Sequence, residues 1–217
     1  MVEDFDNVLA IIPARRESKR LPGKNKMQLS AYYELWQHAV LNAKGAEIKN
    51  ICVSTDDTDI LDKIALSNLN KTSIWGFKRR GLLKIWGLNR SPEMAEDDAT
   101  MGDVIREVMQ QISQYGLQYD TICLLQPTSP LLSPSTLKHA LHQYYSHKYP
   151  GIVAVNRHYS PCGAFYILNK NSFNIHANIW MPGLAVYVVD EKEAIDIDHI
   201  WDFRIADAVH RGWVEHK

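Results

Sequence analysis

Three cysteines in 217 residues, with no CxxC pair among them, exclude a disulfide framework and a cysteine zinc site. Cys52 and Cys123 fall inside apolar runs, where cysteine behaves as a small hydrophobe, and Cys162 stands alone in a turn. No apolar run approaches the length of a membrane span. The acidic start, Met1-Val2-Glu3-Asp4, has neither the positive flank nor the apolar block of a secretion signal, so a cytoplasmic protein is expected. Charge of one sign is lacking too. Twenty-four basic and 25 acidic residues give a formal net charge of -1, so no global field draws the chain to nucleic acid or to an anionic membrane. The short run Lys78-Arg79-Arg80 reads as a solvated face. A Walker GxxxxGK[ST] loop is also missing.

What is present suits one compact domain. The length buries most of a chain's apolar surface in a single core, and 46% hydrophobic with 23% charged residues is ordinary for a globular fold. Val8-Leu9-Ala10-Ile11-Ile12 is apolar without alternation, the mark of a strand buried on both faces. Helical spacing follows from Tyr32 to Leu41, with Lys44-Gly45 as a stop signal. Residues 51–55 repeat the strand pattern, and Asp57 is placed to cap a helix carrying Ile60, Leu61, Ile64, Ala65 and Leu69. Further helices are predicted over 103–115, 134–145 and 200–209, and further strands over 121–125, 152–155, 164–168 and 184–189. Successive β-α units with right-handed crossovers predict an α/β fold, a doubly wound and mostly parallel sheet. Residues 70–90, with Trp75, Phe77 and Trp86, fit no period and read as an unassigned insertion.

In such sheets ligands bind where strands end. Directly after the first strand, Pro13 to Asn25 packs five cations, Arg15, Arg16, Lys19, Arg20 and Lys24, into a turn-rich loop. Arg forks, Lys ammonium groups and loop amides together can neutralise a triphosphate and align it. Near the other end of the chain, Ile195-Asp196-Ile197-Asp198 sets two carboxylates at i, i+2, on one side of an extended segment. Facing carboxylates repel unless a cation lies between them, and Mg²⁺ takes hard oxygen ligands while bridging to phosphates; alternating Asp and Ile also describes an edge strand with one wet face. Gln126 ends the third buried strand and is held by Pro127 and Pro130, so its amide can meet a sugar hydroxyl or carboxylate. His139 and His142 share a helix face with no third ligand in register, and Ser18 has no His or Asp neighbour to make it a nucleophile.

The segments Ile12 to Asn25, Val53 to Asp56, Arg90 to Ala99, Leu124 to Pro130, Gly163 to Ile167 and Ile195 to Asp198 resemble, in order and spacing, the acylneuraminate cytidylyltransferases, the CMP-sialic acid synthetases. They resemble the pseudaminic and legionaminic acid cytidylyltransferases as well, and more distantly those for Kdo. The resemblance implies a nucleotidyltransferase that moves CMP from CTP to the anomeric hydroxyl of an acidic nine-carbon 2-keto sugar and releases pyrophosphate. It implies that Ala14, Arg15, Ser18, Lys19, Lys24 and Asn25 hold CTP, with Lys24 at the phosphates, and that Arg90 and Ala99 lie near base and ribose. It places Mg²⁺ on Asp196 and Asp198, the sugar at Gln126 and Phe165, and the chemistry on Arg15, Lys24 and Asp198. Other readings of the same motifs are an impaired member that binds nucleotide or a partner protein, and a nucleotidyltransferase for a different sugar such as Kdo. The family's projecting dimerisation element has almost no counterpart near 155–160, and Met101 and Cys162 stand where Ser or Thr, and Asn, are usual.

Overall fold

The computed structural model describes residues 5–69, 84–96 and 98–215. In chain order the elements are β1 (Val8–Pro13), β2 (Gln28–Leu29), β3 (Tyr33–Glu34), α1 (Leu35–Gly45), β4 (Asn50–Thr55), α2 (Thr58–Leu69) and β5 (Lys84–Asn89). They continue with α3 (Pro92–Ala95), α4 (Met101–Ser113), β6 (Thr121–Leu125), α5 (Pro134–His147), β7 (Gly151–Val155), β8 (Pro161–Asn169), α6 (Lys170–His176), β9 (Ala185–Val188) and α7 (Ile200–Glu215).

Seven strands form one sheet in the order β5-β4-β1-β6-β8-β7-β9. Only β8 runs against its neighbours; the other pairings, β1 with β4 and β6, β4 with β5, and β7 with β9, are parallel. The mostly parallel α/β sheet read from the sequence is therefore present. Its apolar runs bury both faces of β1. Val8, Ala10 and Ile12 pack in one cluster with Trp36 and Val40 of α1 and Leu137 and Leu141 of α5. Leu9 and Ile11 pack in the other with Ile105 and Val108 of α4 and Phe173 of α6. Helices thus cover both sides, and the chain reverses direction across the sheet between β1 and β6, leaving a crevice at their carboxyl ends.

The helix starts are chemically marked. Asp57 Oδ1 accepts from Asp59 N at 3.0 Å, so the expected cap of α2 is formed. Thr100 and Asp103 make a reciprocal capping box on α4, and Ser133 with Pro134 opens α5. The first helix begins at Leu35, three residues later than the apolar spacing predicts. Tyr33–Glu34 instead pair with Gln28–Leu29 through a turn whose Ser30 and Ala31 have φ of 51° and 60°, and Glu34 with Gln37 caps α1.

Of the stretch left unassigned, 70–83 lies outside the described residues, while 84–89 is β5. Its period is hidden because both faces are apolar: Ile85 joins one cluster, and Trp86 and Leu88 the other. Gly87 is there for space, since an added Cβ would come within 2.9 Å of Leu61 on α2. At 155–160, where the resemblance implies a shortened projecting element, Asn156 closes a tight turn. Its Oδ1 accepts from His158 N and Ser160 N, and β8 follows directly in antiparallel register with β7.

Candidate active site

A small apolar cluster explains why two distant segments meet. Leu21 of the cationic loop, Leu29 and Leu35 of the hairpin and α1, Leu131 beyond β6, Ile195 and Ile197, and Ala206 and Phe203 of α7 pack together. Ile197 has no exposed surface, and burying such a side chain is worth about 1.5–3 kcal/mol. With Ile197 turned inward, its neighbours Asp196 and Asp198 are left beside the crevice, and Ile197 N donates to Thr128 O at 2.8 Å to fix the level. The segment is irregular chain rather than the edge strand its alternation could also describe.

The cationic loop closes on those carboxylates. Lys24 Nζ donates to Ile197 O at 3.0 Å and to Asp198 Oδ1 at 3.1 Å, and Arg20 Nη1 lies 2.6 Å from Asp198 Oδ2. Lys24 is nearly buried, 12% exposed, whereas Arg20 is 61% exposed, so Lys24 is the better-fixed charge. Asn25, buried, donates from Nδ2 to Arg15 O at 2.8 Å and holds the loop's two ends together. Arg16 N donates to Asp56 Oδ1 at 2.7 Å, which aims the loop's entry toward the end of β4. Ser18 is buried in the loop and Lys19 is exposed on it. Ala14 is wholly buried; its N donates to Ser54 O and its O accepts from Thr55 Oγ1.

Arg90 follows β5 and is 3% exposed, its Nε and Nη2 donating to Ser54 Oγ and Ser54 O at 3.2 and 3.1 Å. Burial lowers its pKa, Asp56 and Glu107 oppose that, and Arg15 adds to it, so Arg15 and Arg90 share one electrostatic neighbourhood. Arg90→Met is expected to cost about 2 kcal/mol in urea unfolding, because Ser54 loses both donors and the acids lose their cation. Ala99 is half-buried in the link to α4.

At the mouth of β6, Gln126 faces Gly163 on β8. A Cβ on Gly163 would lie 2.4 Å from Gln126 Oε1 and 3.6 Å from Asp196 Oδ2, so glutamine, glycine and carboxylate share one corner. Gly163 also has φ of 76°, a conformation L side chains rarely adopt. Gly163→Ala should therefore displace Gln126. A loss of about 1–3 kcal/mol in urea unfolding is expected, because alanine is strained at this φ; an unchanged midpoint would show that Gln126 gives way freely.

Asp196 is the most perturbed acid of this corner. Burial raises its pKa first; a Thr128 hydroxyl bond lowers it, neighbouring Asp198 raises it, and Lys24 and Arg20 lower it. Its Oδ1 is buried without a hydrogen-bond partner. Thr128 and Gly163, present in the motifs but given no role there, also meet at this corner, and Arg20, one of the five loop cations, reaches it; the adjacency of Thr128 to Gln126 was the available signal. Phe165 differs from expectation. It is fully buried and packs edge-on to Tyr187, 5.7 Å between centroids, so its side chain belongs to the core and offers a sugar no surface. The following Tyr166 packs in the other cluster, and one residue of register decides between the two. His139 bonds the Tyr187 hydroxyl and His142 rests against Phe5. Among the described residues no group of three or more His, Cys, Asp or Glu could hold a metal, and no helix is long and apolar enough to cross a membrane.

Solved structures first define the class. The fold matches CMP:2-keto-3-deoxy-manno-octonic acid synthetase complexed with CTP, with a TM-score of 0.65 and 14% identity over 95% of this chain and 99% of that one. It also matches a cytidylyltransferase from Leptospira borgpetersenii, TM-score 0.63 and 17% identity over 94% and 86%. The chain shares the fold of both. Residues 9–68 match the family described as cytidylyltransferase. Among curated relatives it is 34% identical over 135 residues to the CMP-N,N'-diacetyllegionaminic acid synthase of Legionella pneumophila, covering 62% of this chain and 51% of that protein. It is 26% identical to a pseudaminic acid cytidylyltransferase of Campylobacter jejuni over 85% of this chain and 68% of that one. An N-acylneuraminate cytidylyltransferase of Streptococcus agalactiae is 26% identical over 90% and 51%. The chain spans about half the length of the first and last of these. The resemblance read from the six motifs is borne out.

Proposed function

We propose that the chain transfers CMP from CTP to the anomeric hydroxyl of an acidic nine-carbon 2-keto sugar. The observation that carries this reading is the contact of Lys24 and Arg20 with Asp198, which joins a loop after the first strand to an acidic pair beyond the last. A polyanion and a hard cation would both be served there. The sugar hydroxyl oxygen attacks the α-phosphorus in line and gives up its proton to water, the bond from that phosphorus to the bridging oxygen breaks, and its electron pair leaves with pyrophosphate.

Lys24, fixed at the Ile197 carbonyl, and the guanidinium groups of Arg15 and Arg20 stabilise the charge gathered on the departing phosphates. Asn25 holds the loop so that these donors need no rearrangement during reaction. Gln126, packed against Gly163, meets the sugar's hydroxyl or carboxylate at the same corner. Asp196 and Asp198 fit Mg²⁺: they supply hard oxygens, and the unpartnered Oδ1 of Asp196 is an acceptor that a cation would satisfy. When bound, Mg²⁺ neutralises phosphate charge.

Incubation with CTP, Mg²⁺ and a panel of sialic, legionaminic, pseudaminic and Kdo acids, reading pyrophosphate, tests the reading. Release with a nine-carbon acid is expected. Tight CTP binding with no release from any acid would favour a nucleotide-binding member instead, and release with Kdo alone would move the substrate class.

A further inference from the structure

Asp196 stands in irregular chain, so neither the sheet nor a helix fixes its place, although a metal ligand has to be held closely. On its carboxyl side the next residue, Ile197, is buried and bonded to Thr128 O. On its amino side the anchor is Glu193. This side chain is 4% exposed, and its Oε1 accepts from Ser133 N at 3.1 Å and from Thr136 Oγ1 at 3.0 Å, both at the start of α5. Its Oε2 is buried with no hydrogen-bond partner. Taking a carboxylate out of water is costly, and the amino-terminal end of α5 offsets part of that cost, because its N–H groups and dipole favour an anion.

Capping does not account for the contact. Ser133 already caps α5, its Oγ accepting from Thr136 N at 3.2 Å, with Pro134 in the first turn. What Glu193 adds is a tie between two segments. The chain around it is folded back on itself, Lys192 N donating to Asp190 Oδ1 at 3.1 Å and Ala194 N to Asp190 O at 3.0 Å. The carboxylate fastens that turn to α5, while Ile195 and Ile197 pack in one cluster with Leu131, two residues before Ser133. Thr128, Leu131, Ser133 and Thr136 thus hold residues 193–197 at successive points along the stretch that begins at Gln126. Asp196 is carried between these anchors. Burial first raises the pKa of the Cys162 thiol and a backbone bond from Ala164 lowers it; the charges of Asp196 and Glu193 then raise it, so both acids lie within electrostatic reach of the residue before Gly163.

We infer that Glu193 is a positioning residue for the metal-binding pair: by tying the turn at 190–195 to α5, it sets where Asp196 presents its carboxylate. The inference rests on the reading of Asp196 and Asp198 as Mg²⁺ ligands, and Glu193 acts through the backbone between them and not as a ligand itself. Residues that orient metal ligands are worth about 10–100-fold in metal affinity, so the test reads metal binding and not turnover.

Mn²⁺ is titrated into the full chain without nucleotide, and the free ion is read by its electron paramagnetic resonance signal well below the melting temperature. Glu193→Ala should weaken Mn²⁺ binding about tenfold, and Thr136→Val, which removes one of the two bonds, by a smaller factor. Glu193→Gln keeps an acceptor for Ser133 N and Thr136 Oγ1, and its affinity should stay within about twofold of the parent chain. An unchanged affinity in Glu193→Ala overturns the inference, since the contact would then serve α5 alone. An equal loss in Glu193→Gln also overturns it, because charge and not position would be the cause. Should Glu193→Ala fail to fold, Thr136→Val against Thr136→Ser, which keeps the hydroxyl, decides in the same way. The comparison holds whether or not any acid releases pyrophosphate, so the proposed function can fail without it. No saturable Mn²⁺ binding by the parent chain removes the metal reading and this inference together.

Discussion

Lys24→Ala is expected to lower turnover by about a hundredfold or more while leaving the fold intact, the usual consequence of deleting one preorganised charge donor. Lys24 is nearly buried and pinned to the Ile197 carbonyl and to Asp198, so its charge is held in one place. Arg20 still contacts Asp198 in the variant, so the acidic pair keeps a cation and the two segments stay joined through Leu21 and Ile197. Arg20→Ala should cost much less, because an arginine that is 61% exposed is screened by water. Rapid-quench turnover with thermal unfolding as control separates the outcomes. Near-normal turnover in Lys24→Ala would reduce the lysine to a strut, and a collapse of the melt would show that the strut is what the fold requires.

Much of this was readable in the chain because buried parallel strands leave an unambiguous mark. Val8 to Ile12 and Thr121 to Leu125 show unbroken apolar runs, since each buries both faces, and the polar residues that follow them are then the mouth of the sheet by construction. The cationic loop and the acidic pair could be connected only through that topology. β5 was lost for the same physical reason that revealed β1: an apolar run on both faces has no period, and one broken by Gly87 has little length. The hairpin before α1 was hidden differently. Tyr33 and Glu34 continue a helical stripe in sequence, and only the capping pair of Glu34 with Gln37 moves the helix start to Leu35.

The site was legible residue by residue where charge carried it and not where packing did. Lys24, Asp196, Asp198 and Gln126 lie together at the crevice, and each was singled out by a chemistry that few environments tolerate. Phe165 was assigned by its motif alone. From Phe165 onward the residues of β8 alternate across the sheet, and sequence spacing does not say which of Phe165 and Tyr166 faces the helices of the first cluster. Thr128 and Gly163 act through another residue, the one by bonding Asp196 and the other by making room for Gln126, and such roles exist only once the strands are side by side.

Asp196→Asn is expected to abolish turnover to within a few hundredths of the parent rate and, at the same time, to raise thermal stability at neutral pH. Burial and then the like charge of Asp198 keep this carboxyl above the ordinary carboxylate range, and the Thr128 bond, Lys24 and Arg20 only partly oppose them. The sign follows from the proton count. A carboxyl whose pKa is raised in the folded state holds its proton to higher pH than in the unfolded chain, so it favours folding below the ordinary value of about 4 and loses that contribution as pH climbs through the folded value. At neutral pH the ionised side chain opposes folding, and asparagine, which cannot ionise but can still bond Thr128, removes the opposition. The stability gain should therefore be present at pH 7 and vanish on acidification toward pH 4, measured as paired melts across that window with turnover taken at pH 7. A variant that is less stable at neutral pH would show Asp196 to be an anchor whose charge the fold depends on, and one that is more stable yet retains turnover would remove it from the metal-binding pair.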